Sequence, residues 1–87
     1  MISLCVIVPI FNEEKFLSES LNRILENDIY EQIILVDDCS TDNSSKIAEH
    51  FVSSHSKARY LKTSTNSGKG AALALASKEV TTSHVVI

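Results

Sequence analysis

Eighty-seven residues make one small domain, in which about 60–65% of the unfolded chain's surface can be buried. The composition is 44% hydrophobic and 22% charged, with two Gly, one Pro and no Trp, which excludes a disordered, collagen-like or Pro-rich chain. A formal net charge of −3 without any block of like charges gives no footing for nucleic-acid wrapping or a polybasic membrane anchor.

The opening MISLCVIVPI lacks a basic segment and a small-residue cleavage site, so the chain reads as cytoplasmic rather than secreted. No apolar run approaches the roughly 18 residues of a membrane span. Cys5 and Cys39 lack metal-ligand spacing and read as reduced thiols. His50 and His55 would point in different directions on a helix, and no zinc site is expected.

In chain order, Leu4-Cys5-Val6-Ile7-Val8 is apolar without alternation, which predicts a strand covered on both faces, ended by Pro9. Asn12 then reads as the cap of a helix with Glu13 and Glu14 in its first turn. Its buried stripe is Leu17, Leu21, Ile24 and Leu25, and Asn27-Asp28 closes it. Ile33-Ile34-Leu35-Val36 predicts a second doubly covered strand. The turn-rich Asp37 to Asp42 follows it, with Asp42 or Ser40 capping a second helix buried through Ile47, Ala48, Phe51 and Val52. A third strand is expected over residues 58–63, a third helix from Ala71 to about Glu79, and a fourth strand from His84.

The order β-α-β-α-β-α-β predicts an α/β fold, Rossmann-like, with a parallel sheet and helices on both faces. The polar clusters Asn12-Glu13, Asp37-Asp38 and Asn66 to Gly70 each follow a strand. They should converge on the carboxyl rim, where ligands bind such sheets.

Each cluster also has a plain structural explanation. One carboxylate of Asp37-Asp38 could make an Asx-turn, and the other accept hydrogen bonds from a ligand. Asn66-Ser67-Gly68-Lys69-Gly70 suits a helix start near an anion. It nonetheless fails the P-loop pattern and lacks the third Gly of the dinucleotide pattern. Residue type alone favours core burial for Phe11 over stacking on a ligand ring.

Together, Val6-Ile7-Val8-Pro9-Ile10-Phe11-Asn12-Glu13, Ile34-Leu35-Val36-Asp37-Asp38-Cys39-Ser40-Thr41-Asp42 and Asn66-Ser67-Gly68-Lys69-Gly70 resemble the family 2 glycosyltransferases. That family has a GT-A fold and shows V-P-x-[YF]-N-E, V-D-D-x-S-x-D and N-x-G-x-x-x-A motifs. The Gly68 to Ala72 variant is similar to members that glycosylate polyprenyl or dolichyl phosphate. The resemblance implies a nucleotide-sugar donor (UDP-, GDP- or dTDP-linked). Pro9 and Phe11 would pack on the base, Glu13 lie by the ribose, and Asp38 read the base's N–H edge with Asp37 beside it. Gly68 and Lys69 would pass over the nucleotide, Lys69 toward the diphosphate. The chemistry implied for the full enzyme is displacement at the anomeric carbon with inversion, at a cytoplasmic site or the cytoplasmic face of a membrane. The acceptor could be a lipid phosphate.

The family's D-x-D, which holds Mg²⁺ or Mn²⁺, follows the fourth strand, and no Asp follows Asp42 here. Residues 1–87 are therefore expected to be the N-terminal part of a GT-A nucleotide-sugar-binding domain, truncated after the start of strand four. No catalytic residue or metal ligand is expected within the chain, and the piece alone should be inactive. The open apolar edge of strand four points to a homodimer. The alternatives are a non-catalytic nucleotide-binding or interaction module and a receiver-like signalling domain, which would need a phosphoacceptor Asp on a later strand.

Overall fold

The computed structural model describes residues 2–64 and 68–87, and of Lys69 the backbone alone. Seven elements alternate along it: β1 (Leu4–Ile10), α1 (Leu17–Asn27), β2 (Gln32–Asp37), α2 (Ser44–Ser54), β3 (Ala58–Lys62), α3 (Lys69–Ser77) and β4 (His84–Val86). The four strands form one parallel sheet in the order β3-β2-β1-β4.

The missing alternation in β1 and β2 has a direct cause, since both strands are covered on both sides. Ile33, Ile34, Leu35 and Val36 are all 0% exposed. Their side chains divide by parity, as a pleated strand requires. Val6, Ile10, Ile33, Leu35 and Ala58 join Leu17, Leu21, Ala48 and Phe51 on the side of α1 and α2. Cys5, Ile7, Ile34 and Val36 meet Ala72 and Ala76 of α3 on the other. Two steps from β1 to β2 to β3 run in one direction, so crossovers of one hand put α1 and α2 on one face. The connection from β3 to β4 runs back past β1, and a crossover of the same hand then covers the opposite face. Gln32 secures this return: its buried amide donates to the Glu79 carbonyl (2.7 Å) and accepts from the Thr81 N–H (3.0 Å).

Three local expectations are corrected. Pro9 does not end the ladder, because Pro9 lies opposite Val36 and Ile10 opposite Asp37. The odd residues of β1 direct their backbone groups toward β4, as the bond from His84 N–H to the Ser3 carbonyl shows. The nitrogen of Pro9 thus faces away from β2, and the β1–β2 ladder loses no bond to it. Helix α1 begins at Leu17, not after Asn12, and Asn12 sits in the left-handed region at φ 51°. Its amide oxygen is used across the rim instead, accepting from the N–H groups of Thr41 (2.8 Å) and Asp42 (3.3 Å). Helix α3 starts at Lys69, two residues before Ala71.

Candidate functional site

The order of connection reverses beside β1, and the carboxyl ends of β1 and β2 open there into a cleft of about 290 Å³. It is lined by Pro9, Ile10, Phe11, Glu13, Asp38, Gly68 and Ala72. Such a position outside the strand ends is where ligands bind open α/β sheets. One described residue of each rim cluster, Glu13, Asp38 and Gly68, reaches the cleft.

The first wall is the segment after β1. Its backbone is held to the β2–α2 loop: Asn12 N–H donates to Ser40 Oγ (3.0 Å), Glu13 N–H to Ser44 Oγ (2.8 Å) and Glu14 N–H to Asp42 Oδ2 (3.2 Å). Asp42 also accepts from the Ser44 N–H at the start of α2 (2.9 Å). This hydrogen bonding, from Ser44 first, outweighs desolvation and holds the Asp42 carboxyl below the usual range. The expected cap is corrected: the N-cap of α2 is Asn43, without a side-chain cap bond, and Asp42 one residue before it ties the start of α2 to the segment after β1. Phe11 is 45% exposed, which corrects the expectation of core burial. With the three residues after it pinned at the rim, Phe11 lines the cleft.

Adjacent carboxylates at the tip of β2 have opposite fates, because neighbouring strand residues face opposite sides of the sheet. Asp37 turns to the α1–α2 side and is 0% exposed. It accepts from Tyr60 Oη (2.7 Å) and from the N–H of Ser40 three residues on (2.9 Å). Burial, followed by the hydrogen bond to Asp37 and its charge, raises the Tyr60 hydroxyl above its ordinary pKa. Asp37 is thus absent from the cleft, against the expectation that paired it with Asp38.

Asp38 turns toward α3 and is 6% exposed. Its Oδ1 accepts from Thr63 Oγ1 (2.8 Å) and its Oδ2 from the Gly68 N–H (3.0 Å). Gly68 has φ 92° and ψ 163°, a conformation open in practice to glycine alone. It therefore brings the start of α3 to the cleft.

The structure thus gathers Pro9, Phe11, Glu13, Asp38 and Gly68, and leaves Asp37 outside. The backbone of Lys69 opens α3, while its predicted diphosphate contact and the Asn66-Ser67 part of the motif lie outside the described residues. Ile10 and Ala72 line the cleft without having been picked out in the sequence. Ala72 had one legible signal, its i, i+4 spacing with Ala76, which marks the small-residue face of α3. Among the described residues no group of three or more His, Cys, Asp or Glu could hold a metal ion.

Comparison with known proteins places this geometry. Poly(ribitol-phosphate) beta-N-acetylglucosaminyltransferase TarS of Staphylococcus aureus is 39% identical over 54 residues, 59% of this chain and 9% of its own length. A UDP-N-acetylglucosamine–dolichyl-phosphate N-acetylglucosaminyltransferase of Methanococcus voltae is 44% identical over 46 residues, 53% of this chain and 18% of its own. Among solved structures, the mannosyltransferase PcManGT of Pyrobaculum calidifontis, in complex with GDP-Man and Mn²⁺, superposes with a TM-score of 0.90. Its identity is 28%, over 99% of this chain and 26% of that one. TarS in complex with UDP gives 0.86 at 32% identity, over 97% of this chain and 26% of that one. The chain therefore spans 9% and 18% of these curated relatives and about a quarter of the solved chains. The description of glycosyl transferase family 2 matches residues 5–87, nearly the whole sequence, on a sheet that superposes on family structures. The chain belongs to glycosyl transferase family 2.

Proposed function

We propose that this chain is the nucleoside-binding part of a nucleotide-sugar-dependent glycosyltransferase, and that residues 1–87 form the N-terminal portion of its GT-A domain. The observation that carries the reading is the single cleft shared by Pro9, Phe11, Glu13, Asp38 and Gly68. An exposed aromatic residue, a carboxylate in the same cleft and a volume near the lower end of roughly 300–1,000 Å³ suit a base with its ribose. GDP-Man and UDP, bound by two structural relatives, support a nucleoside diphosphate donor.

In this reading Phe11 and Pro9 pack on the base, Asp38 accepts from its N–H edge, and Glu13 accepts from ribose hydroxyls. The N-terminal end of α3 and Lys69 face the diphosphate, the sign that a helix start favours. In the parent enzyme an acceptor hydroxyl or phosphate displaces the nucleoside diphosphate at the anomeric carbon with inversion. Mg²⁺ or Mn²⁺ on the diphosphate would stabilise the charge of the leaving group. The described residues do not supply its ligands, and none of them is assigned as the base. The dolichyl-phosphate in the name of one relative supports a lipid-phosphate acceptor. No helix among the described residues is long and apolar enough to cross a membrane. The exposed edge of β4 supports a twofold dimer of the 87-residue chain.

Titration of ¹⁵N-labelled chain with UDP and with GDP tests the site. The largest shifts should fall at Phe11, Glu13 and Asp38, and Asp38→Asn should weaken binding by about 1–3 kcal/mol. Shifts confined to α3 beyond Gly70, or none at millimolar nucleotide, would overturn the reading.

A further inference from the structure

Among the described residues, Asp38 is built into the wall of the cleft by two donors, one just past β3 and one at the start of α3. Thr63 Oγ1 donates to Oδ1 at 2.8 Å and the Gly68 N–H to Oδ2 at 3.0 Å. Each carboxylate oxygen is engaged, so rotation about the bond to the carboxyl group is opposed from both sides. Thr63 is held in its turn. Its N–H donates to the Asp37 carbonyl at 2.9 Å, continuing the β2–β3 ladder one residue past β3. Thr63 is 8% exposed, so its hydroxyl meets Asp38 with little competition from water. Yet Thr63 does not line the nucleoside cleft. It belongs to a separate groove with Lys62, Ser64, Ala71, Ala74, Leu75 and Lys78.

We propose that Thr63 is a positioning residue for the nucleoside cleft: its hydroxyl orients the Asp38 carboxylate, and through Asp38 seats Gly68 and the first turn of α3. The inference rests on the nucleoside reading for its effect on binding, and on the hydrogen bonds alone for its effect on Gly68. Removing the hydroxyl leaves Oδ1 without this donor in a nearly dry site. The carboxylate then swings or draws in water, and the Gly68 N–H loses its fixed acceptor. Serine keeps the hydroxyl and loses only a methyl group.

Thr63→Val and Thr63→Ser, with NMR of the ¹⁵N-labelled chain, make the test. In Thr63→Val the Gly68 amide should shift and exchange about tenfold faster, and affinity for UDP or GDP should fall roughly tenfold. Thr63→Ser should restore both to within about threefold of the parent. A purely structural role would lower the melting temperature of Thr63→Val and leave affinity and the Gly68 amide in place, which overturns the proposal. If the parent binds neither nucleotide, a Gly68 amide that moves in Val and returns in Ser upholds the positioning while the nucleoside reading falls. If Thr63→Val does not fold, the unaltered chain decides: a Thr63 hydroxyl proton slow to exchange supports the bridge, and one exchanging as fast as an exposed serine refutes it.

Discussion

Asp37 and Asp38 differ by one position and by 180° of pleat, and that rotation separates a structural carboxylate from a site carboxylate. Among the described residues Asp37 has one side-chain donor, the Tyr60 hydroxyl, and the dependence is visible in pH. An unfolded tyrosine ionises near pH 10, whereas burial and the Asp37 charge keep the Tyr60 proton on in the folded chain. Above about pH 10 the unfolded state therefore binds fewer protons than the folded one, and stability falls as pH rises; below it the contribution is complete. Tyr60→Phe should cost about 1–2 kcal/mol at pH 8, with the deficit against the parent shrinking above pH 10. Urea unfolding at both pH values checks it, and a deficit that is constant or growing with pH would contradict the linkage.

At the scale of elements, helix α3 combines a packing face with a ligand wall. Ala72 is 1% exposed and Ala76 0%, and their small side chains let the helix lie close on Cys5, Ile7, Ile34 and Val36. Ala72 also borders the cleft beside Asp38 and Gly68. Ala72→Leu should overpack this contact, at about 1–3 kcal/mol of stability, and occupy the space where the base is proposed to sit. Thermal unfolding together with a UDP titration reads both effects. Loss of stability with unchanged nucleotide shifts would move the base away from α3. The helix itself was legible as an Ala/Leu-rich run, but its start was read late, because Gly68 at φ 92° begins the turn before the apolar pattern does.

For the whole molecule, burial is uneven. β2 is closed on both faces, while Val85, Val86 and Ile87 are 45%, 41% and 67% exposed. Among the described residues β4 pairs with β1 alone, so its outer edge offers backbone groups without a strand partner beside apolar side chains. Such an edge is a template for another strand. The 87-residue chain should associate with itself in sedimentation equilibrium, and Val86→Lys should return it to monomer by placing a charge in the contact. A monomer at every concentration up to about a millimolar, with fast amide exchange at Val85, would contradict the dimer.

The sequence by itself determined the alternation of elements, the parallel sheet and the rim that carries the site. These follow from local periodicity, from apolar runs too continuous for half-covered strands, and from the hand of crossovers, all properties of neighbours along the chain. It also marked Pro9, Phe11, Glu13, Asp38 and Gly68, whose cluster spacing survives folding because each stands at a strand end or helix start. The assignments that failed were decided by partners remote in sequence. Asn12 left its own helix because Thr41 and Asp42 offered N–H groups across the rim. Pro9 was tolerated inside a ladder because its nitrogen faces away from β2 and takes no bond from that pairing. Phe11 stayed exposed because the loop around it was pinned by Ser40 and Ser44. Asp37 was withdrawn from the cleft by Tyr60, 23 residues away, and Thr63 was brought to Asp38 across 25. Hydrogen bonds of that reach have no local pattern, and only the packed sheet chooses among them.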